Sequence, residues 1–335
     1  MTHRLCLIGP RHGVAGPAGF QRRLTSGLEA RGHGVTHDLE DQPYDAILVI
    51  GGSRHLSGLR NARGRGIRLV QRLDGLNWIH RRRRTGLRHF LKAEANNLLL
   101  RLTRRTADAV VYQSEFVRRW WEQTYGLAGM DATVIHNGVP LDVYTPQGVA
   151  LARQPGVRLL VVEANLAGGY EIGMAWAADL ARRLRSMSGK SIELAVAGRV
   201  EEKVRASHDS EPITWLGLVP PEDVPALDRS ADMLFAADLH PACPNAVIEA
   251  LACGLPVVGF DTGALKEVVG EKAGRVVPFG GDPWSLDPPD VDGLATATTE
   301  LLGDPEPVRR AARHRAEGAF GLDRMVDEYL GVLGW

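Results

Sequence analysis

Short apolar, β-branched runs separated by helix-length segments recur along the whole chain, and this alternation limits the fold more than any other feature. "RLCLIG" (Arg4 to Gly9), "YDAILVIGG", "IRLVQRL", "ADAVVYQS" and "ATVIHNG" each read as a strand. Helices are expected between them over "GFQRRLTSGLEARG", a long stretch around Gly86–Thr106, and "EFVRRWWEQTYG". Strand–helix–strand units of this length cross over right-handedly and build a parallel sheet.

The rhythm breaks once. "NGVPLDVYTPQGVALARQPG" is rich in turn formers and has no clear periodicity, which places a linker near residues 140–155. The alternation then restarts with "VRLLVVEAN", a helix over Ile172–Ser186, "IELAVAG", "ITWLG", the helix "PEDVPALDRS" and "ADMLFAA". "HPACPNAVIEALACGLPVVGFDTGALKEVV" and "GRVVPFG" follow, and from Val291 the chain is mainly helical. A chain of 335 residues is too long for one ordinary core. The expected fold is α/β, with two Rossmann-like domains, 1–145 and 155–320, each built on a parallel sheet. Their sites would lie at the carboxyl ends of the strands, with the interdomain cleft as the default ligand site.

Lys+Arg and Asp+Glu are both 40, so the formal charge is zero, which argues against a dedicated nucleic-acid binder. Cys6, Cys243 and Cys253 sit in apolar runs without CxxC spacing and read as buried, reduced thiols. No apolar run reaches the roughly 20 residues that span a bilayer, and the chain opens directly into a strand. A cytoplasmic location is expected from these features.

The loops after the strands carry the candidate chemistry. "GPRHGVAGPAGFQRR" has glycines at 9, 13, 16 and 19 and leads into a helix. Gly16 and its neighbours either contact a bound donor or acceptor through free N–H groups, or form a plain connection. Asp74 ends a strand in "QRLDGLNW". It is either a general base or sugar-binding carboxylate, or half of an Asp–Gly turn. Gly198 and Gly217, the latter followed by Leu218, end two strands of the second half and suit close approach of a base or ribose. Arg199 beside them is a candidate phosphate partner. The segment Arg81–Arg105 combines arginines with apolar positions at Leu87, Phe90, Leu91, Leu98, Leu99 and Leu102. It reads either as a surface helix of an Arg-rich protein or as a peripheral contact with an anionic membrane at its inner face.

"PNAVIEALACG" is more specific. Pro244 suits the first helical position, and the N–H groups of Asn245, Ala246 and Val247 would then be available to a diphosphate. Asn245 and Glu249, four apart, share one face of an otherwise apolar helix. Glu249 has no Lys or Arg within one turn on that helix, so the hydroxyls of a ribose are a fitting partner; the alternative is that it points to water. The glycine loop at Gly263 would add backbone donors to the same diphosphate.

These residues resemble the C-terminal donor site of family-4 retaining glycosyltransferases of the GT-B fold. The family pattern runs roughly E-G-F-P-N-x-x-x-E-A-x-A-C-G-x-P-V-V, followed by a glycine loop before E-V-V. "PNAVIEALACGLPVVGFDTGALKEVV" is similar to it, "VIHNGVPLDVYTP" resembles the family's interdomain segment, and "GFQRRLTSGLEARGHGV" its first glycine loop and helix. The resemblance implies two facing domains with a cleft between them. It also implies a C-terminal helix, 321–335, that returns to the first domain. It further implies metal-independent hexosyl transfer, without a cofactor, from a nucleotide-sugar donor to a carbohydrate, lipid-linked or small-molecule acceptor. Glu249 would hold the ribose hydroxyls and the amides after Pro244 the diphosphate.

Two departures stand out. The family's first glutamate, eight positions before the second, is replaced by Pro241, with Asp238 and His240 the nearest polar residues. The family's Gly-Arg and Lys-Gly are also missing from "VVEANLAGGYEIG", which offers Asn165, Gly168 and Gly169. Arg199, a first-domain arginine or backbone amides at Gly168–Gly169 would have to compensate for these cations. A glycosyltransferase-like binding or scaffold protein without transfer activity is the alternative reading. A nicotinamide-dependent oxidoreductase fits poorly, since GxGxxG is absent.

Overall fold

The run Ala46–Ile50 is apolar at every position and buried at every position, as a strand covered on both faces requires. It lies inside the first of two six-stranded parallel sheets in the computed structural model, which describes residues 2–10, 16–166, 171–208 and 212–335, with only the backbone of Asn165. In chain order the strands of this sheet are β1 (Arg4–Ile8), β2 (Gly34–Thr36), β3 (Ala46–Ile50), β4 (Arg68–Leu73), β5 (Ala109–Tyr112) and β6 (Asp131–Val134). They lie in the order β2-β1-β3-β4-β5-β6. Helices Gly16–Ala30, Leu56–Gly64, Leu87–Arg104 and Glu115–Tyr125 connect them. β2 and the helix Leu56–Gly64 add to the expected elements; at three residues and without an apolar stripe, β2 leaves little pattern to read.

Alternation along β1 sends Leu5 and Leu7 to one face and Cys6 to the other. Leu5, Leu7 and Leu48 meet Phe20, Leu24 and Leu28 of the first helix, together with Met325, Val326 and Tyr329 of the final helix Leu322–Leu333. That helix belongs to the first unit because Gly27 lets it approach: a Cβ at 27 would fall 2.5 Å from a Val326 methyl. Arg31 ties its start through Asp323 (2.9 Å) and Asp327 (3.1 Å), and Trp335 stacks on His3 with centroids 4.8 Å apart.

The chain divides into two compact units, residues up to Gly138 with Phe320–Trp335, and Val139–Ala319. The turn-rich segment 140–155 lies within the second unit. Its carbonyls are held there by arginines: Leu141 and Tyr144 by Arg313 (3.1 and 2.7 Å), and Thr145 and Val149 by Arg229 (3.1 and 2.8 Å).

The second unit holds β7 (Val157–Leu166), β8 (Ile192–Val200), β9 (Ile213–Gly217), β10 (Met233–Phe235), β11 (Val257–Phe260) and β12 (Gly274–Val277). Their order is β12-β11-β10-β7-β8-β9, again parallel throughout. The chain runs outward from β7 through β8 to β9, then returns to the other side of β7 as β10. Strand order therefore reverses between β7 and β10, where open α/β sheets form their ligand crevices.

Candidate functional site

A narrow crevice opens at this reversal point. Glu163 of β7 and Asp238, which follows β10, line it together with Pro241, Pro244, Ala246 and Val247. The last three belong to the start of the helix Asn245–Ala252. Pro244 is not the first helical residue, as its type suggested, but the residue before it, with ψ at 115°. Its carbonyl already accepts from the amide of Ile248 at 3.2 Å, so the proline closes the helix start from outside. The amides of Ala246 and Val247 then lack an acceptor within the helix and stand at its positive end, beside the crevice.

Glu249, half-buried, follows one turn later. Close to it stands Asp228, from the helix Val224–Arg229, only 1% exposed. Neither Asp228 carboxyl oxygen has a partner at hydrogen-bonding geometry. Burial first and the Glu249 charge second push the Asp228 carboxyl well above its usual range, against opposing pulls from Arg229 and the Cys253 thiol. Burial and the Glu249 charge both favour the neutral form of this carboxyl, which spares Glu249 a second negative neighbour.

The loop between β10 and the helix has an unusual backbone. His240 adopts φ 60°, in the left-handed region that non-glycine residues avoid, and its ring lies flat on Trp284, 3.7 Å between centroids. Burial lowers the His240 pKa to about 4, so the stacked ring is neutral near pH 7. The glycine loop after β11 braces this turn: Gly263 has φ 58°, and the Ala264 amide donates to the Pro241 carbonyl at 2.8 Å. The amides of Asp261 and Thr262 are likewise bonded within the fold, to Val277 and Phe260. Only Gly263 of that loop is left as a candidate donor to a ligand.

Other expected residues fall along the same sheet edge. Gly198 has φ 144°, and a Cβ there would fall 1.8 Å from the Glu163 carbonyl oxygen. The glycine therefore answers to the bulge in the β7–β8 pairing, where register shifts between Val162 and Asn165. Arg199, paired in register with Asn165, is exposed and makes no ion pair among the described residues. Gly217, at φ 70°, has open space where a side chain would stand, and Leu218 is 47% exposed. Gly168, Gly169, Gly13 and the side chain of Asn165 lie outside the described residues.

Gly16 and Asp74 belong to the first unit. Gly16 opens the helix Gly16–Ala30. Asp74 follows β4, and its Oδ1 accepts from Arg72 at 2.8 Å and from the Gln113 amide. Arg72 is itself 1% exposed, donates to Asn137 at 2.8 Å and stacks on Phe20. Asp74 is thus a fixed acceptor, more than a turn residue. Its second oxygen makes no hydrogen bond among the described residues.

The basic segment is narrower than expected. Arg104 is buried, donating to the Gly126 carbonyl at 3.0 Å, and Arg81 is paired with Glu94. Arg82, Arg84, Arg88, Lys92, Arg101 and Arg105 remain exposed.

Residues 158–304 match the family described as Glycosyl transferases group 1, and residues 35–143 match Glycosyltransferase Family 4. The chain belongs to the family-4 glycosyltransferases. A curated relative is the 2-deoxystreptamine N-acetyl-D-glucosaminyltransferase of Streptomyces fradiae, 27% identical over 132 residues. That match spans 39% of this glycosyltransferase chain and 28% of the relative's length. Two solved structures share the GT-B fold over nearly full length on both sides. Sucrose-phosphate synthase from Thermosynechococcus elongatus superposes with a TM-score of 0.74 at 14% identity, covering 98% of each chain. HepE from Anabaena, solved with UDP and glucose, superposes with a TM-score of 0.69 at 15% identity, covering 100% of each.

Within this glycosyltransferase fold, sequence reasoning passed over Glu163 and Asp228. Glu163 interrupts the apolar run "LLVVEAN" near the end of the strand beside the reversal point, which was its available signal. Asp228 left only a polar letter in a short amphipathic helix.

Proposed function

We propose that this protein is a retaining glycosyltransferase that moves a hexosyl unit from a nucleoside-diphosphate sugar to a carbohydrate, lipid-linked or small-molecule acceptor. The observation that carries this reading is the helix start at the strand-order reversal, with Ala246 and Val247 amides beside the crevice and Glu249 one turn behind. Backbone amides at a helix N-terminus suit a diphosphate. A half-buried carboxylate four residues past Asn245 suits the vicinal hydroxyls of a ribose. Arg199 and the Gly263 amide are the remaining candidate donors for phosphate oxygens.

In the transfer, the bond from the sugar's anomeric carbon to the diphosphate oxygen breaks, and the acceptor hydroxyl bonds that carbon on the same face. The hydroxyl proton passes to the departing diphosphate. The amides at the helix start stabilise the charge that grows on this leaving group and gain strength as it develops. HepE was solved with UDP and with UDP-glucose, so UDP is the first nucleotide to try.

The membrane reading of the basic helix has its own support. Leu87, Leu91 and Leu98 are 74%, 58% and 54% exposed. At about 100° per residue they fall within roughly 40° of one another. Arg88, Lys92 and Arg101 flank this stripe on the helix, exposed Arg82 and Arg84 precede it in the chain, and the helix's one acid, Glu94, is tied to His80 and Arg81. This face would rest on an anionic bilayer and bring the first unit to lipid-linked acceptors.

The decisive experiment is thermal unfolding with UDP, GDP and ADP, followed by donor hydrolysis. One of them should raise Tm by several degrees, and Glu249→Ala should remove most of that rise. No shift with any of the three would count against the reading. Binding without hydrolysis or transfer on a broad acceptor panel would favour a non-catalytic nucleotide-binding protein instead.

A further inference from the structure

Two carboxyl groups share the crevice at the point where strand order reverses, Glu163 from β7 and Asp238 from the loop after β10. Among the described residues, the Glu163 carboxyl has no hydrogen-bond partner, and Asp238 takes one from the Leu239 backbone amide. Among the described residues, no lysine or arginine lines the crevice. Each residue is partly buried, and its carboxyl sits where burial penalises charge. A structure that places two acids together without a cation leaves them hydrogen-bonding capacity that a ligand can use. Pro241, Pro244, Ala246 and Val247 line the same crevice, so this capacity shares it with the helix start assigned to the diphosphate.

The geometry points to a role for this pair beyond those assigned so far, one that rests on the donor-site reading above. We propose that Glu163 and Asp238 together read the donor's sugar: they bind hydroxyls of a neutral hexosyl group and reject a hexuronosyl group.

The chemistry follows from charge. Burial pushes both carboxyls above their ordinary range, and the Asp238 charge pushes Glu163 further. Such a pair keeps a proton between its members at neutral pH. It then presents both an O–H donor and carboxylate acceptors, which matches two neighbouring sugar hydroxyls. A uronosyl carboxylate would add a second negative charge in a space without a cation, and like charges set together in a low-dielectric crevice are costly. Pro241 has no side-chain hydrogen-bonding group, so sugar recognition passes to Glu163 on β7 and Asp238 in the loop after β10.

The test begins by choosing among UDP, GDP and ADP the diphosphate that binds most tightly. Its neutral hexosyl and uronosyl conjugates are then compared by calorimetry, UDP-glucose and UDP-glucuronate if UDP is selected. The wild type should prefer the neutral donor at least tenfold. The double variant Glu163→Gln/Asp238→Asn, which removes the pair's charge altogether, should bring that ratio within threefold while leaving affinity for the bare diphosphate within twofold. Equal binding of the two conjugates by the wild type would overturn the inference even if the double variant misfolds. So would a preference that persists in the double variant. Tight binding of Mg2+ alone, lost in the double variant, would instead make the pair a cation site. If no bare diphosphate binds, the donor-site reading falls first and takes the inference with it.

Discussion

Gly263 sits so close to the turn at His240 that a Cβ on it would fall 2.5 Å from the His240 carbonyl carbon and equally near the Pro241 nitrogen. Both residues have positive φ, 58° for the glycine and 60° for the histidine, and each conformation needs the other. Gly263→Ala adds a methyl group to a contact with no room and puts an alanine in the left-handed region, which alone costs about 1–2 kcal/mol. The turn must move, and Pro241 and Pro244 move with it. The expected result is a Tm lower by several degrees and at least a tenfold loss of nucleoside-diphosphate affinity in a still folded protein. Thermal unfolding with and without UDP measures both; an unchanged UDP shift would show that the turn does not shape the site.

Asp228 gives a stability prediction with a definite sign. Its pKa in the folded protein is raised, by burial first and by Glu249 second. Between the unfolded value, about 4, and the higher folded value, the folded state binds more protons. The contribution to stability is therefore full below the unfolded pKa and declines as pH rises. Asp228→Asn keeps the shape and removes the titration. It should raise Tm at pH 7 and do little at pH 4, with about 2–4 °C for each kcal/mol gained in a unit of this size. Melting curves across that range decide it. A gain that shrinks toward neutral pH would contradict the assignment of Asp228 as a buried neutral acid.

Much of this was legible in the sequence because parallel strands buried on both faces leave continuous apolar runs, as at Ala46–Ile50 and Val257–Phe260. The helix at residues 245–252 was equally plain, since Pro, Asn and Glu punctuate an otherwise apolar segment. What stayed hidden depends on three-dimensional neighbours. Gly198 read as room for a ligand, whereas the space is taken by the Glu163 carbonyl of the next strand. Pro244 read as the first helical residue, and only its ψ places it one position earlier. Arg104 read as surface charge, but its guanidinium is turned inward to a carbonyl. Glu163 and Asp238 are seventy-five positions apart in sequence, and only the order of the strands brings them to one crevice.

Arg72 and Asp74 test whether the first unit's polar cluster is structural as well as chemical. Arg72 is buried, with Asp74 and Asn137 as hydrogen-bond partners and the Phe20 ring 3.9 Å from its guanidinium carbon. Asp74→Asn leaves this guanidinium without its counter-charge; because the Asp74 side chain is 32% exposed, the loss is that of a charge-assisted hydrogen bond, about 1.5–3 kcal/mol. Arg72→Met leaves Asn137 without that donor and should cost a similar amount. The double variant should cost clearly less than the sum, because the two changes remove one shared interaction. Urea unfolding of the four proteins gives the cycle. Strict additivity would mean that Asp74 owes its position to Gln113 alone.

The exposed stripe on the helix Leu87–Arg104 makes the last prediction. Leu87, Leu91 and Leu98 stand in solvent with Arg88, Lys92 and Arg101 around them, a pattern that gains both by burying apolar area and by meeting negative charge. Each cation near an anionic surface is worth about 1 kcal/mol, and that share fades as the screening length shortens with salt. The protein should sediment with phosphatidylglycerol-containing vesicles at about 0.1 M salt and much less at about 0.5 M. It should stay in solution with pure phosphatidylcholine. Leu91→Glu should abolish sedimentation without lowering Tm, since the side chain is already 58% exposed and supports no core. Arg88→Glu should weaken it and flatten its salt dependence. Binding that ignored lipid charge, or survived Leu91→Glu, would return this helix to an ordinary Arg-rich surface.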